Sequence, residues 1–192
     1  MARADWARGD VMSHVLAALT YENRLAITVS LLTGLRIGDV LNLRTRDLLR
    51  DRLTITEEKT LKRRTVRLPD QLRDELQGIA GKIYVFENRL SARKHRTRQA
   101  VYKDIKRAAK AFRIKSNITC HTARKIYAVS EYKKDFSVAR VKKLLNHSSE
   151  AVTMIYAIAD ELTERKKDSP PPTLPGGLVC QGRAPKNFSP TR

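Results

Sequence analysis

The chain has 192 residues, enough for one domain with a core of ordinary size, and a hydrophobic content of 41% excludes a chain that cannot fold. Lys and Arg number 39 against 20 Asp and Glu, and the net charge of +19, spread along the whole chain rather than on one amphipathic helix, points to nucleic acid ahead of a membrane surface. No apolar run approaches the roughly 20 residues of a membrane span and no signal-peptide core opens the chain, which predicts an intracellular, cytoplasmic protein.

The first elements are helical. Val11, Val15 and Leu19 recur at helical spacing, and Leu25, Val29 and Leu32 resume it after a break near Thr20, which predicts two helices packed on each other. Gly34 follows Thr33 where the second helix should stop, because glycine tolerates the left-handed conformation that ends a helix. A new helix should begin around Arg36, anchored by Val40, Leu41 and Leu43, with Arg44 and Arg46 facing out.

From Leu53 the period changes. Leu53-Thr54-Ile55-Thr56 and Thr65-Val66-Arg67-Leu68 alternate as strands of a half-buried sheet do, and Glu57 to Arg64 between them makes a β-hairpin with a basic tip. Pro69 and Asp70 start the next helix, with Leu72, Leu76 and Ile79 on its buried face and Gly78 and Gly81 at its end. Ile83-Tyr84-Val85-Phe86 reads as a third strand or an extended segment on the core.

Arg89, Arg93, Lys94, Arg96 and Arg98, with His95, form a basic run that is either a solvated face or a phosphate contact. Val101, Ile105, Ala108 and Phe112 then trace another helical stripe. A helix should run from Thr122 to about Tyr132, a second through Val138, Val141 and Leu145, and a last one through Val152, Ile155 and Ile158 to near Leu162. Beyond Lys167, Pro170, Pro171, Pro172, Pro175, Pro185 and Pro190 crowd with three glycines, so residues 168–192 are expected to be an unstructured tail outside a folded domain of residues 1–167. The fold class is mainly α with a small antiparallel β-sheet. Cys120 and Cys180 lie too far apart for a metal-binding pair, and a structural disulfide is not expected.

The residues suited to chemistry come in a fixed order: Arg36 after Thr33-Gly34-Leu35, Lys59 in Glu58-Lys59-Thr60, His121-Thr122-Ala123-Arg124, His147 after Leu144-Leu145-Asn146, and Tyr156 nine positions later. Phosphodiester cleavage needs a nucleophile, positive charge on the phosphorane and an acid for the leaving oxygen. A tyrosine can be the nucleophile, and two arginines grip non-bridging oxygens with forks that lysine lacks. The guanidinium groups then supply the charge that a metal pair would otherwise bring, and neither a carboxylate cluster nor a His-Glu-x-x-His helix is visible.

Each residue also has a plainer reading. Arg36 can be one more basic residue at a helix end, His147 a helix cap favoured by the dipole, and Tyr156 a core tyrosine on an apolar stripe. Lys59, Lys62, Arg63 and Arg64 compete for the same hairpin tip. The joint order and spacing outweigh these readings taken singly.

That order resembles the catalytic domain of the tyrosine recombinases, the phage integrase family, over roughly Ala7 to Lys167. In the family the first arginine follows a Thr-Gly-Leu turn and is held by an acidic residue three positions on, which Arg36 and Asp39 match. The family lysine lies on a hairpin and is often followed by threonine or glycine, which selects Lys59; His121, Arg124, His147 and Tyr156 match the remaining positions. The resemblance implies that Tyr156 attacks the scissile phosphate to give a 3′-phosphotyrosine link and a free 5′-hydroxyl. Lys59 would protonate the leaving oxygen, His121 would assist proton transfer and His147 would hydrogen-bond the phosphate. No cofactor is implied, and the partner is double-stranded DNA with a homotetramer assembled on it.

The sequence departs from the family at Asn146, where glycine is usual, and at Ala123 and Lys125, where leucine and histidine are usual. The chain also starts almost at the catalytic domain, so the N-terminal core-binding domain of most members is not expected and binding should be weaker and steeply salt-dependent. Two rivals stand beside a strand-exchange enzyme: a catalytically silent DNA-binding or regulatory module on the same fold, and a type IB topoisomerase-like relaxing enzyme. The complete set of six argues against the first, and the short chain and the His147 to Tyr156 spacing against the second.

Overall fold

A computed structural model gives the fold, described here for residues 9–135 and 137–145. The expected last helix, His147, Tyr156 and the tail lie outside the described residues.

Helices α1 (Gly9–Ala18) and α2 (Tyr21–Thr33) break at Thr20 as their periodicity predicts. The break is pinned from a distance: Asp104 accepts the Thr20 N–H at 2.9 Å, the Thr20 hydroxyl at 3.0 Å and the Asn23 amide at 2.7 Å. Met12, Val15 and Leu19 face the core from this first segment, and α2 buries Leu25, Ala26, Ile27, Val29, Ser30 and Thr33. Leu32, expected in the buried stripe, is 50% exposed, because the inward face of α2 is centred one residue to its side.

Gly34 ends α2 in the left-handed region, at φ 66°, and returns its N–H to the Ser30 carbonyl at 2.8 Å. Hydroxyls tie the turn that follows: Ser30 donates to the Leu35 carbonyl, and Thr33 donates to Val29 while accepting from the Leu35 N–H. The short helix α3 (Ile37–Leu41) starts directly after Arg36 and buries Val40 and Leu41, with Leu43 beyond it. A 3₁₀ turn spans Thr45–Leu49. Arg46 faces out as expected, whereas Arg44 is half-buried with its guanidinium 4.2 Å from the centre of the Tyr84 ring.

Strands β1 (Leu53–Thr56) and β2 (Arg63–Val66) pair antiparallel with Leu53 opposite Val66 and Ile55 opposite Arg64. The second strand starts two residues earlier than its alternation predicts, an even shift that keeps Val66 on the inward face. Helix α4 (Asp70–Ile79) buries Leu72 and Leu76; Gly78 is its penultimate residue and Gly81 lies just beyond its Ala80 cap. Residues 83–86, expected as a strand or extended segment, form a bend, a single bridge from Tyr84 to Arg44 and a turn at Val85 and Phe86, with the Val85 N–H on the Leu43 carbonyl and the Thr45 N–H on the Ile83 carbonyl.

The basic run includes a second hairpin, β3 (Glu87–Asn88) and β4 (Ser91–His95), on which Arg89, Arg93 and Lys94 are exposed, as either a solvated face or a phosphate contact requires. Helix α5 (Arg98–Ala111) buries Val101, Ile105 and Ala108, but Phe112 leaves the stripe and stacks on His14 with ring centres 5.4 Å apart. Helix α6 (Cys120–Asp135) begins two residues before Thr122, because the Thr119 hydroxyl accepts the His121 N–H and the Thr122 hydroxyl accepts the Thr119 N–H. It packs along α2, with α7 (Val138–Leu144) against it. The fold is mainly helical with small antiparallel sheets, as the sequence predicts. No described helix is long and apolar enough to cross a membrane.

Candidate active site

The α2–α3 turn presents Arg36. Its backbone is extended, at φ −67° and ψ 145°, so the side chain leaves the chain where one helix has ended and the next has not yet closed its first bond. Its Nη1 donates to Oε2 of Glu57 at 2.6 Å, with side-chain exposures of 12% and 0%. Its Nη2 is buried and finds no acceptor among the described residues.

Glu57 therefore lies on the inside, not at the solvated tip of the hairpin. Its Oε2 also accepts the Thr60 hydroxyl at 3.1 Å, and its Oε1 lies 4.0 Å from Nη1 of Arg64. Arg64 belongs to β2 rather than to the tip; its Nη2 donates to the Thr33 carbonyl, and its guanidinium lies 5.9 Å from the centre of the Tyr127 ring. The tip is left to Lys59 and Lys62, both exposed, while Arg63 opens β2 opposite Thr56.

Asp39 does something other than hold Arg36. Its Oδ1 accepts the Glu58 N–H at 2.9 Å, and its Oδ2 has no donor among the described residues. Burial pushes its carboxyl above the ordinary range; the Glu58 N–H opposes this, Glu57 adds to it, and Arg36 and Arg124 pull the other way. The ion-pair partner of Arg36 is thus Glu57, and Asp39 fastens the hairpin to α3.

Arg124 is buried in the first turns of α6. Its Nη1 donates to the Gly34 carbonyl and its Nη2 to the Leu145 carbonyl at 3.2 Å, so one guanidinium joins α6, the turn that presents Arg36 and the end of α7. Both arginines act electrostatically on Asp39.

An open cavity of about 500 Å³ is lined by Arg36, Asp39, Lys59, Arg98 and His121, among others. Three of the sequence-predicted residues, Arg36, Lys59 and His121, share this cavity, and Arg124 is bonded to the Gly34 carbonyl in the turn that presents Arg36. The positions of His147 and Tyr156 lie outside the described residues. Cys120 precedes His121, and burial pushes its thiol up to about 11, which keeps it protonated and a poor rival nucleophile. Among the described residues no group of three or more His, Cys, Asp or Glu side chains is placed to hold a metal ion.

Two participants escape a reading of the sequence. Glu57 had a usable signal, since the alternation of Leu53 and Ile55 extended by one step puts it on the inward face. Arg98, the first residue of α5, had none beyond its place in a basic run.

Fold and residue pattern lead to one family: residues 6–162 match the Phage integrase family, to which the chain belongs. A tyrosine recombinase of Thermosipho africanus (strain TCF52B) is 33% identical over 168 residues, covering 82% of this chain and 58% of that protein. The probable integrase/recombinase YoeC of Bacillus subtilis (strain 168) is 33% identical over 138 residues, 69% of this chain and 75% of that protein. Among solved structures, the lambda integrase catalytic core superposes with a TM-score of 0.63 at 21% identity, covering 77% of this chain and 93% of that one. A lambda integrase dimer bound to a COC′ core site gives 0.67 at 20% identity, over 80% of this chain and 48% of that one. These structural likenesses establish the tyrosine-recombinase fold. The chain spans 58% of the Thermosipho relative and about half of the lambda integrase chain in the dimer.

Proposed function

We propose that the protein is a site-specific DNA recombinase that cuts and rejoins strands through a 3′-phosphotyrosine intermediate. The observation that carries this reading is the gathering of Arg36, Lys59 and His121 around one cavity, with Arg124 bonded to the turn that presents Arg36. A non-bridging phosphate oxygen is the natural acceptor for the buried, unsatisfied Nη2 of Arg36, since a charged donor left unpaired in the interior costs at least about 1–3 kcal/mol.

The phenol oxygen of Tyr156 bonds to phosphorus as its proton passes to His121. The P–O5′ bond breaks with its electron pair on O5′, which takes a proton from the Lys59 ammonium. Arg36 and Arg124 balance the charge on the phosphorane, and His147 donates a hydrogen bond to it. The covalent link conserves the bond energy, so rejoining is the reverse attack by a 5′-hydroxyl and needs no ATP. With arginines carrying the charge, cleavage should proceed in chelator.

The DNA-bound dimer and Holliday-junction tetramer of lambda integrase support double-stranded DNA as the partner and a homotetramer as the working assembly. The proposed site of action is the cytoplasm, on DNA of a bacterium, phage or mobile element.

The test is incubation with nicked suicide DNA in chelator. The expected product is a denaturation-resistant protein–DNA adduct, lost in Tyr156→Phe. Binding without an adduct on any cognate site would leave only the silent DNA-binding module.

A further inference from the structure

Among the described residues, Glu57 is the only charged side chain in the set of largest fully buried groups, and it opens the turn that carries Lys59. Its Oε2 receives both Arg36 Nη1 at 2.6 Å and the Thr60 hydroxyl at 3.1 Å. Its backbone closes the same turn, with its N–H on the Lys62 carbonyl at 3.0 Å and its carbonyl accepting the Leu61 N–H at 2.8 Å. The next residue is fastened too, through the Glu58 N–H on Asp39.

The turn does not hold its shape by local preference. Leu61 sits in the left-handed region, at φ 54°, which a leucine enters only at a cost of about 1–2 kcal/mol, and its side chain is 79% exposed, so packing does not repay that cost. What holds the turn is the set of bonds made by residues 57, 58 and 60 to one another and to the α3 side of the cavity. Lys59 itself is exposed on a flexible stem; its turn is tied to Arg36 directly by the Glu57 carboxylate, through Thr60 and the backbone, and to α3 by the Glu58 N–H on Asp39.

We infer that Glu57 is a positioning residue for the proposed cleavage: its carboxylate registers the Lys59 turn against Arg36, so that the ammonium meets O5′ while the guanidinium holds the same phosphate. The inference rests on the strand-cleavage reading of this site. Charge matters as well as reach, because a charge-assisted bond to Arg36 is roughly twice as strong as a neutral one. A group that places an acid to better than an ångström governs proton delivery without touching the substrate.

The chemistry of the leaving group separates this role from a general structural one. When the bridging 5′ oxygen of the scissile phosphate is replaced by sulfur, the thiolate departs without needing a proton, so the acid becomes dispensable while the arginines do not. Single-turnover cleavage at saturating DNA is therefore compared for the oxygen and sulfur substrates in wild type, Glu57→Gln and Thr60→Val, with folding checked by thermal melting.

Glu57→Gln should slow the oxygen substrate about 10–100-fold, the lower part of the range for general acid catalysis, while slowing the sulfur substrate less than about threefold. Thr60→Val, which keeps the buried ion pair and so stays folded even if the first variant does not, should show the same split at smaller size. Arg36→Lys should slow both substrates alike. Equal slowing of both substrates by Glu57→Gln and Thr60→Val, or no slowing by either, overturns the positioning role. Absence of cleavage by the wild type on both substrates strikes the strand-cleavage reading itself, and is thereby told apart.

Discussion

The ring of Tyr127 occupies the space into which a side chain on Gly34 would grow: a Cβ built there lies 2.2 Å from Cδ1 and 2.5 Å from Cε1. Helix α6 thus reads the end of α2 directly, one turn beyond the point where Arg124 grips the Gly34 carbonyl. Gly34→Ala should lose about 2–4 kcal/mol in chemical denaturation, combining left-handed strain with overpacking of a closed contact. Tyr127→Leu in the same background should restore the packing part only. An unchanged denaturation midpoint for Gly34→Ala would show that the turn is not clamped in this way.

Asp104 links α5 to the α1–α2 joint. Burial alone would raise its carboxyl, but the bonds from Asn23, the Thr20 N–H, Arg107 and the Thr20 hydroxyl together hold it below the ordinary range. A depressed folded pKa contributes stability that is present above the unfolded value and is lost as pH falls through the folded one. Asp104→Asn should therefore cost about 1.5–3 kcal/mol at pH 7 and flatten the stability loss below about pH 4. Equal acid sensitivity in the two proteins would remove Asp104 from the account.

Asp39 has the opposite sign. Burial raises its carboxyl, so the folded state disfavours its ionised form, and its contribution is full below the unfolded value and lost as pH rises. Asp39→Asn keeps an acceptor for the Glu58 N–H and removes the buried charge, so at pH 7 it should be at least as stable as wild type. A loss greater than about 1 kcal/mol would mean that the neighbouring arginines need its charge more than burial opposes it.

The sequence is informative where one physical cause acts at short range. Gly34 marks the end of α2 because only the left-handed conformation is needed, and Val40, Leu41 and Leu43 are buried as their spacing requires. Arg36, Lys59 and His121, singled out by the order in which they occur, line one cavity. The second hairpin was not legible, because Ser91–His95 buries none of its side chains and so carries no alternation to read. Leu32 and Phe112 fit helical stripes yet face outward, since a stripe fixes a face only within the width of its neighbours' packing. The alternation of Leu53 and Ile55 points Glu57 inward, but its charge masks that signal: a glutamate beside Glu58 at the start of a basic turn reads as solvated until the arginines that pair with it are brought from 21 positions before it and from β2.

Arg124 spans two carbonyls on different elements, a task for a planar fork. Arg124→Lys can reach one of Gly34 and Leu145 but not both, and it presents a point charge in place of paired donors. Cleavage should fall about 10²–10³-fold, the usual effect of removing one oxyanion donor. Wild-type cleavage rates in this variant would argue that Arg124 serves the fold alone.

Arg98 is exposed on the cavity wall and forms none of the buried bonds of the site. Arg98→Ala should leave thermal stability within about 0.5 kcal/mol and weaken DNA binding. The slope of log affinity against log salt should become shallower by about one, the mark of one lost phosphate contact. An unchanged slope would place Arg98 outside the DNA path.

Cleavage should join one tyrosine to one backbone phosphorus at the cavity lined by Arg36, Lys59 and His121, with Arg124 bonded to the turn that presents Arg36. The most direct measurement is mass spectrometry of the nuclease-trimmed, trypsin-digested adduct. The account predicts a single peptide containing Tyr156, carrying a nucleotide through its 3′-phosphate, with a free 5′-hydroxyl on the released strand. Attachment to any other residue, or a link through a 5′-phosphate, would contradict it.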